Sequence, residues 1–196
     1  MNKRLLWARI FSFSVIGLIF VSQNHYPANS GFVFFLKSLG FVLLVAAGIG
    51  RIWSAAHIAG SKNVRIVQEG PYSISRNPLY FFSFLGFIGG GLAFGSLLIA
   101  VLLLLVFLLT HGPTILKEEQ FLRDKFGDEF RAFEASTPRF FPAFWKLKNP
   151  EQACFNPAAF NKAVREATLI ILSFGLITLI DAAHTQGWLP VLFRVF

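Results

Sequence analysis

The chain has 196 residues, of which 55% are hydrophobic and 14% charged, and its formal net charge is +8. A soluble domain usually carries about a quarter charged residues, so this deficit excludes an ordinary water-soluble domain if the apolar residues fall in long runs. They do, over residues 5–21, 32–53, 78–93, 96–116 and 164–183. A membrane span takes about 20 mainly apolar residues, so the second, fourth and fifth runs are comfortable, the first adequate and the third short. The pattern predicts an all-α polytopic membrane protein with five spans in a single integral membrane domain, residues 1–196.

The basic residues alternate with the spans. Lys3, Arg4 and Arg9 precede or open the first span, and Arg51, Lys62, Arg65 and Arg76 are assigned to the connection between the second and third. Nine more, from Lys117 to Arg165, fall between the fourth and fifth, while the connections at 22–31 and around Gly95 contain no Lys or Arg. This is the positive-inside bias, with the N-terminus cytoplasmic and the C-terminus outside. It accounts for the basic charge without nucleic acid. Lys37 and Arg194 depart from the pattern, and Lys37 is expected to snorkel to the outer interface. Residues 1–30 also have features of a signal peptide, with a basic start, an apolar stretch and small residues at Ala28 and Ser30. The alternation works with that segment retained. A single cysteine, Cys154, excludes an intrachain disulfide and a cysteine-cluster metal site, and is read as a packing or loop residue.

In the connection 54–77, Gly70-Pro71-Tyr72 is followed by Arg76-Asn77-Pro78. Asn before Pro reads as a helix start, with Asn77 at the N-cap and Pro78 at the first helical position. The third and fourth spans form a hairpin around Gly89-Gly90-Gly91 and Gly95, which returns the chain to the side of Arg76. The arms are unequal: 78–93 extends about 24 Å and 96–119 about 36 Å. The start of the third span is therefore expected at the floor of a recessed cup, with free helix N–H groups below and the carboxylates of Glu118 and Glu119 near the rim. Beyond them, Phe121, Leu122, Phe126, Phe130 and Phe133 recur at helical spacing among charges, although Gly127 weakens the helix. They predict a basic aromatic helix in the headgroup layer, on the cytoplasmic side. Residues 138–145, rich in Phe and ending in Trp145, read as an aromatic anchor at the same level.

These residues form an inventory suited to an amphoteric ligand. A helix N-terminus and Arg76 attract a carboxylate or phosphate. Glu118 or Glu119 can accept from an amine or ribose hydroxyl, and Tyr72 and Tyr80 offer aromatic faces with hydroxyls. S-adenosylmethionine carries all the matching groups, but transporters collect similar sets, and Asn77 read alone is a helix cap. His111 is seven residues before Glu118 and on nearly the same helical face, with Pro113 between them; it is read as a structural histidine near the pocket. Asp181 and His184, one turn apart in the last span, are read as marks of the outer interface.

The ordered set Gly70-Pro71-Tyr72, Arg76-Asn77-Pro78-Leu79-Tyr80, a glycine-broken hairpin, Glu118-Glu119, Phe126-Gly127 and Pro138-Arg139-Phe140-Phe141-Pro142 resembles the isoprenylcysteine carboxyl methyltransferases and their relatives, the phospholipid N-methyltransferases. The likeness covers about 53–145, and the order of the motifs is more specific than any one of them. It implies an integral S-adenosylmethionine-dependent methyltransferase that admits a lipophilic or lipid-modified acceptor from the bilayer. It further implies cofactor binding by Tyr72, Arg76, Asn77, Pro78, Tyr80, Glu118 and Glu119, with Arg76 and Glu119 as the catalytic pair and no metal. The sequence departs from the family at Asn77, where histidine is usual, and at Phe130 and Phe133, where tyrosines are common. Asparagine cannot titrate, so residue 77 is no general base. This mildly favours a carboxylate or thiolate acceptor over an amine. An NADPH-dependent lipid reductase would need a 2′-phosphate site, for which no dedicated basic cluster is evident. A non-catalytic scaffold or transporter would tolerate changes at Glu118 and Glu119. The composition fits a bacterial inner membrane.

Overall fold

The computed structural model describes residues 3–26, 30–149 and 156–195, with side chains described from Ile10 onward. Cys154 lies outside the described residues. Along the chain run α1 (Lys3–Val21), β1 (Ser22–Asn24), α2 (Gly31–Ile58), α3 (Pro71–Ile74), α4 (Pro78–Ala93), α5 (Leu97–Phe126), α6 (Asp128–Ser136), a 3₁₀ turn at Phe144–Lys146, α7 (Pro157–Thr185) and β2 (Phe193–Val195). Among the described residues the architecture is all-α apart from two three-residue strands. Among the described residues, α2, α5 and α7 are long and apolar enough to cross a membrane, while Ile10–Val21 and α4 are shorter apolar helices.

Helix α2 is central, with α4 and α7 packed on it; α5 packs on α4, and α1 on α5. Small residues permit this closeness, since helices in lipid associate largely through close backbone approach. A Cβ on Gly40 of α2 would fall 2.3 Å from the Ala93 amide nitrogen, and one on Gly91 of α4 would fall 2.2 Å from Cα of Ala100 on α5. The α4–α5 turn has Gly95 at φ +82°, a left-handed conformation that favours glycine. Ser96 then caps α5 by accepting from the Ile99 amide at 3.2 Å.

The Gly95 end is tied together by short polar contacts. Strand β1 pairs in parallel with β2, and Asn24 donates to the Gly95 carbonyl. Lys37 donates to Asp181 at 2.6 Å, joining α2 to α7. His184 is buried and its Nε2 lies 2.9 Å from the Phe20 carbonyl. Asp181 and His184 thus tie α7 to neighbouring elements at the end opposite Arg76.

At the opposite end the helices overrun the apolar limits read from sequence. Helix α2 continues to Ile58, so Arg51 belongs to the helix and not to a connection. Helix α5 continues through Pro113 to Phe126. Gly127, at φ +55°, then breaks the anticipated aromatic helix and starts α6 in a new direction. Phe130 and Phe133 point inward, 1% and 4% exposed, and pack on Ile66, Leu122 and Phe126. The later part of the aromatic stripe is therefore core, while Phe121 at its start is exposed. Further exposed aromatics occur at Phe141, Phe144 and Trp145.

Candidate functional site

Two distant stretches are laced together to build the site. The Gly70 amide donates to the Lys148 carbonyl at 2.6 Å, Arg76 N–H to Pro138 O at 2.8 Å, and Ala143 N–H to Ile74 O at 2.9 Å. Ser75 Oγ adds a bond to Phe140 O at 3.0 Å. The Pro138–Pro142 motif thus serves as a strap that holds the chain entering α4.

Behind that chain lies Glu119, 3% exposed. Its Oε1 accepts from Asn77 Nδ2 at 2.9 Å and its Oε2 from Arg139 Nε at 2.9 Å. Arg76 Nε is 3.6 Å from Oε1, an ion pair beyond hydrogen-bond distance. Arg76 also donates to Glu134 at 2.7 Å, and Arg123 donates to the same carboxylate. Asn77 occupies the N-cap position, but its side chain caps nothing; it donates to Glu119 and to the Arg139 carbonyl. The expected floor of free helix N–H groups is likewise reduced. Pro78 has no N–H, and the amides of Tyr80 and Phe81 donate to the Asn77 carbonyl.

In front of this network is a cavity of about 590 Å³ between α2, α4 and α5. Tyr72, Arg76, Asn77, Pro78, Tyr80 and Glu118 line it, whereas Glu119 does not. Adjacent carboxylates thus point differently: Glu118 borders the cavity, 3.7 Å from Lys62, and Glu119 holds its wall. The Tyr72 hydroxyl and Arg76 Nε are buried without a hydrogen-bond partner. Burial, and then the charge of Glu118, pushes the Tyr72 phenol above its ordinary value, so it is a donor throughout the physiological range. His111 also lines the cavity, stacked on Phe107 at 4.8 Å with Nδ1 2.8 Å from Thr110 Oγ1. Among the described residues no group of three or more His, Cys, Asp or Glu is placed to hold a metal ion.

Sequence reading missed Arg51, Lys62 and Ser83, which line the cavity. It also missed Glu134 and the role of Arg139. A charge within the apolar run of α2 was the available signal for Arg51. Nothing local marks Glu134, whose partners are 58 and 11 residues away.

Glu134 gives a pH prediction. Hydrogen bonds from Arg123 and then Arg76 hold its carboxyl below the ordinary value. Its contribution is therefore present above the unfolded-state value of about 4.3 and is lost as pH falls through the lower folded value. In detergent, the wild-type melting temperature should fall more steeply from neutral pH toward pH ~3 than that of Glu134→Gln. Parallel curves would remove Glu134 from the acid response.

Comparison with known proteins places this geometry in a family. The family model described as phospholipid methyltransferase matches residues 28–129. The nickel-cobalt-cadmium resistance protein NccN of Alcaligenes xylosoxydans xylosoxydans is 28% identical over 155 residues, covering 79% of this chain and 72% of the relative. The cobalt-zinc-cadmium resistance protein CzcN of Cupriavidus metallidurans is 29% identical over 183 residues, covering 93% and 83%. No solved structure matches. The motif order, the cavity that seven of the motif residues share and the match over 28–129 agree: the chain belongs to the phospholipid methyltransferase family.

Proposed function

We propose that the chain is an S-adenosylmethionine-dependent membrane methyltransferase acting on a lipophilic acceptor, in the manner of isoprenylcysteine carboxyl O-methyltransferases. The observation that carries the reading is the gathering of Tyr72, Arg76, Asn77, Pro78, Tyr80 and Glu118 around one cavity in a chain of this family. Its volume is in the roughly 300–1,000 Å³ range of small-molecule sites. Tyr72 on the cavity wall has a buried hydroxyl without a hydrogen-bond partner, a donor that a ligand with carboxylate or hydroxyl groups would satisfy. Glu118 offers an acceptor for an amine or ribose hydroxyl and a negative charge near a cation.

When bound beside Tyr72, Arg76 and Glu118, S-adenosylmethionine would supply an activated methyl group, its sulfur keeping the bonding electrons as an acceptor lone pair took the carbon. The protein's part is placement and exclusion of water. Glu119 acts as a positioning residue: through Asn77, Arg76 and Arg139 it holds the cavity wall in one arrangement. Asn77 cannot take a proton, so a carboxylate acceptor, already ionised, suits the site. His111 on the cavity wall favours phospholipid N-methylation as the second reading, because it supplies a titrating group for an amine. By the positive-inside bias the cavity faces the cytoplasm, in a bacterial inner membrane. Any part in metal resistance, for which both relatives are named, would run through the methylated product.

Calorimetry with detergent-purified protein tests the reading: the wild type should bind S-adenosylmethionine, and Tyr72→Phe should bind it about 5–10-fold more weakly for the loss of one hydrogen bond. Tyr72→Phe should melt no lower than the wild type, since it removes a buried hydroxyl that has no partner. A wild type that does not bind would overturn the proposal.

A further inference from the structure

The cavity has a second chemical region that the motifs do not describe. Arg51, Ser83 and His111 stand seven, five and seven residues inward from Ile58, Pro78 and Glu118, about 8–11 Å toward the middle of the bundle. All three line the same cavity. Arg51 donates to Ser83 Oγ and, at 2.7 Å, to Glu166 on α7. Its Nε is buried and has no hydrogen-bond partner.

An arginine within a span is costly to ionise unless it is paired, and such residues mark binding sites or transport paths. Here the pairing is one-sided. Glu166 compensates the charge, but it is not part of the cavity wall, whereas Arg51 is. The side chain of Arg51 is 23% exposed and that of Glu166 40%, and Glu166 is shared with Lys162 at 3.9 Å. The inner region therefore presents the Arg51 side chain to the cavity, whose wall there also carries the uncharged side chains of Ser83 and Tyr80. In a medium of low dielectric, that arrangement selects an anionic oxygen.

We infer that the inner end of the cavity binds the oxyanion of an anionic amphiphile, a carboxylate or phosphate, through Arg51, and that Glu166 positions the guanidinium for it. This rests on the methyltransferase reading only in making that amphiphile the methyl acceptor. Helix α7 lies outside the matched residues 28–129, so Glu166 brings this subsite a support from beyond the family core.

The test uses the full chain in a non-ionic detergent, with dodecyl phosphate, dodecanoate and dodecan-1-ol as probes. The two anions should raise the wild-type melting temperature by roughly 3–6 °C more than the alcohol does. The double variant Arg51→Gln/Glu166→Gln keeps the net charge and leaves no buried charge unpaired; it should fold and lose that difference. Glu166→Gln alone should retain part of it. A larger effect of phosphate indicates a phospholipid-like ligand, and a larger effect of carboxylate a fatty-acid-like one. Equal shifts from all three probes, or an anion effect that persists in the double variant, would overturn the inference. So would a tenfold loss of S-adenosylmethionine binding in a folded Arg51→Gln, which would give Arg51 to the cofactor. Wild-type calorimetry on the same samples judges the methyltransferase reading separately, because anion binding is read without it.

Discussion

Glu119→Ala should lower the melting temperature substantially and abolish tight cofactor binding, whereas Glu118→Gln should weaken binding with little effect on melting. The two glutamates are neighbours in sequence, but their surroundings are opposite. Glu119 is 3% exposed and bonded to Asn77 and Arg139, with Arg76 close by. Removing one partner of a buried ionic network costs about 3–5 kcal/mol. Half-exposed Arg139 regains water, which brings the expected loss to about 2–4 kcal/mol, a fall in Tm of roughly 6–12 °C. Asn77, Arg76 and the strap would then lose their common acceptor, and the cavity wall would loosen. Glu118 is partly exposed beside Lys62, so its replacement should shift melting by about 1 °C or less and cofactor affinity by about tenfold. Melting and calorimetry on the same two variants decide the matter. If Glu119→Ala melts like the wild type and loses only affinity, its carboxylate touches the ligand and the positioning role is wrong.

The second large effect is expected in the glycine contacts of the hairpin. Gly91→Ala and Gly40→Ala should each destabilise the bundle, while Gly90→Ala should be neutral or slightly stabilising. At Gly91 the added methyl would meet the backbone of Ala100, and at Gly40 that of Ala93, at 2.2 and 2.3 Å. Backbone cannot rotate away as a side chain can, so the helices must separate, at a cost of about 1–3 kcal/mol or more. At Gly90 the nearest atom is the end of the Leu103 side chain at 3.5 Å, and alanine also improves helix propensity by up to about 1 kcal/mol. Detergent melting of the three variants is the check; equal values for Gly90→Ala and Gly91→Ala would show that the α4–α5 contact is not tight.

Much of the architecture was legible because lipid imposes simple demands. Every backbone polar group must be satisfied within a helix, so apolar run length reveals the helices, and α4 begins at Pro78 and ends at Ala93 as the run did. The motif order also exposed which residues would meet, since a hairpin returns the chain to its starting level. What the one-dimensional pattern lacked was direction. Phe130 and Phe133 recur at the spacing of a surface stripe, yet a left-handed glycine turned them into the core. Asn77 stands at a cap position, yet a carboxylate 42 residues away holds its side chain.

Composition, charge alternation and motif order by themselves determined a helical membrane protein with its candidate site residues gathered at the α4–α5 hairpin. Tertiary structure alone decided that Glu118 borders the cavity while Glu119 supports it. It also decided that Lys37 and Arg51 join helices through Asp181 and Glu166. The physical reason is that residue type and spacing set which groups a helix can present, whereas the partner of a buried charge depends on a helix contributed from far along the chain.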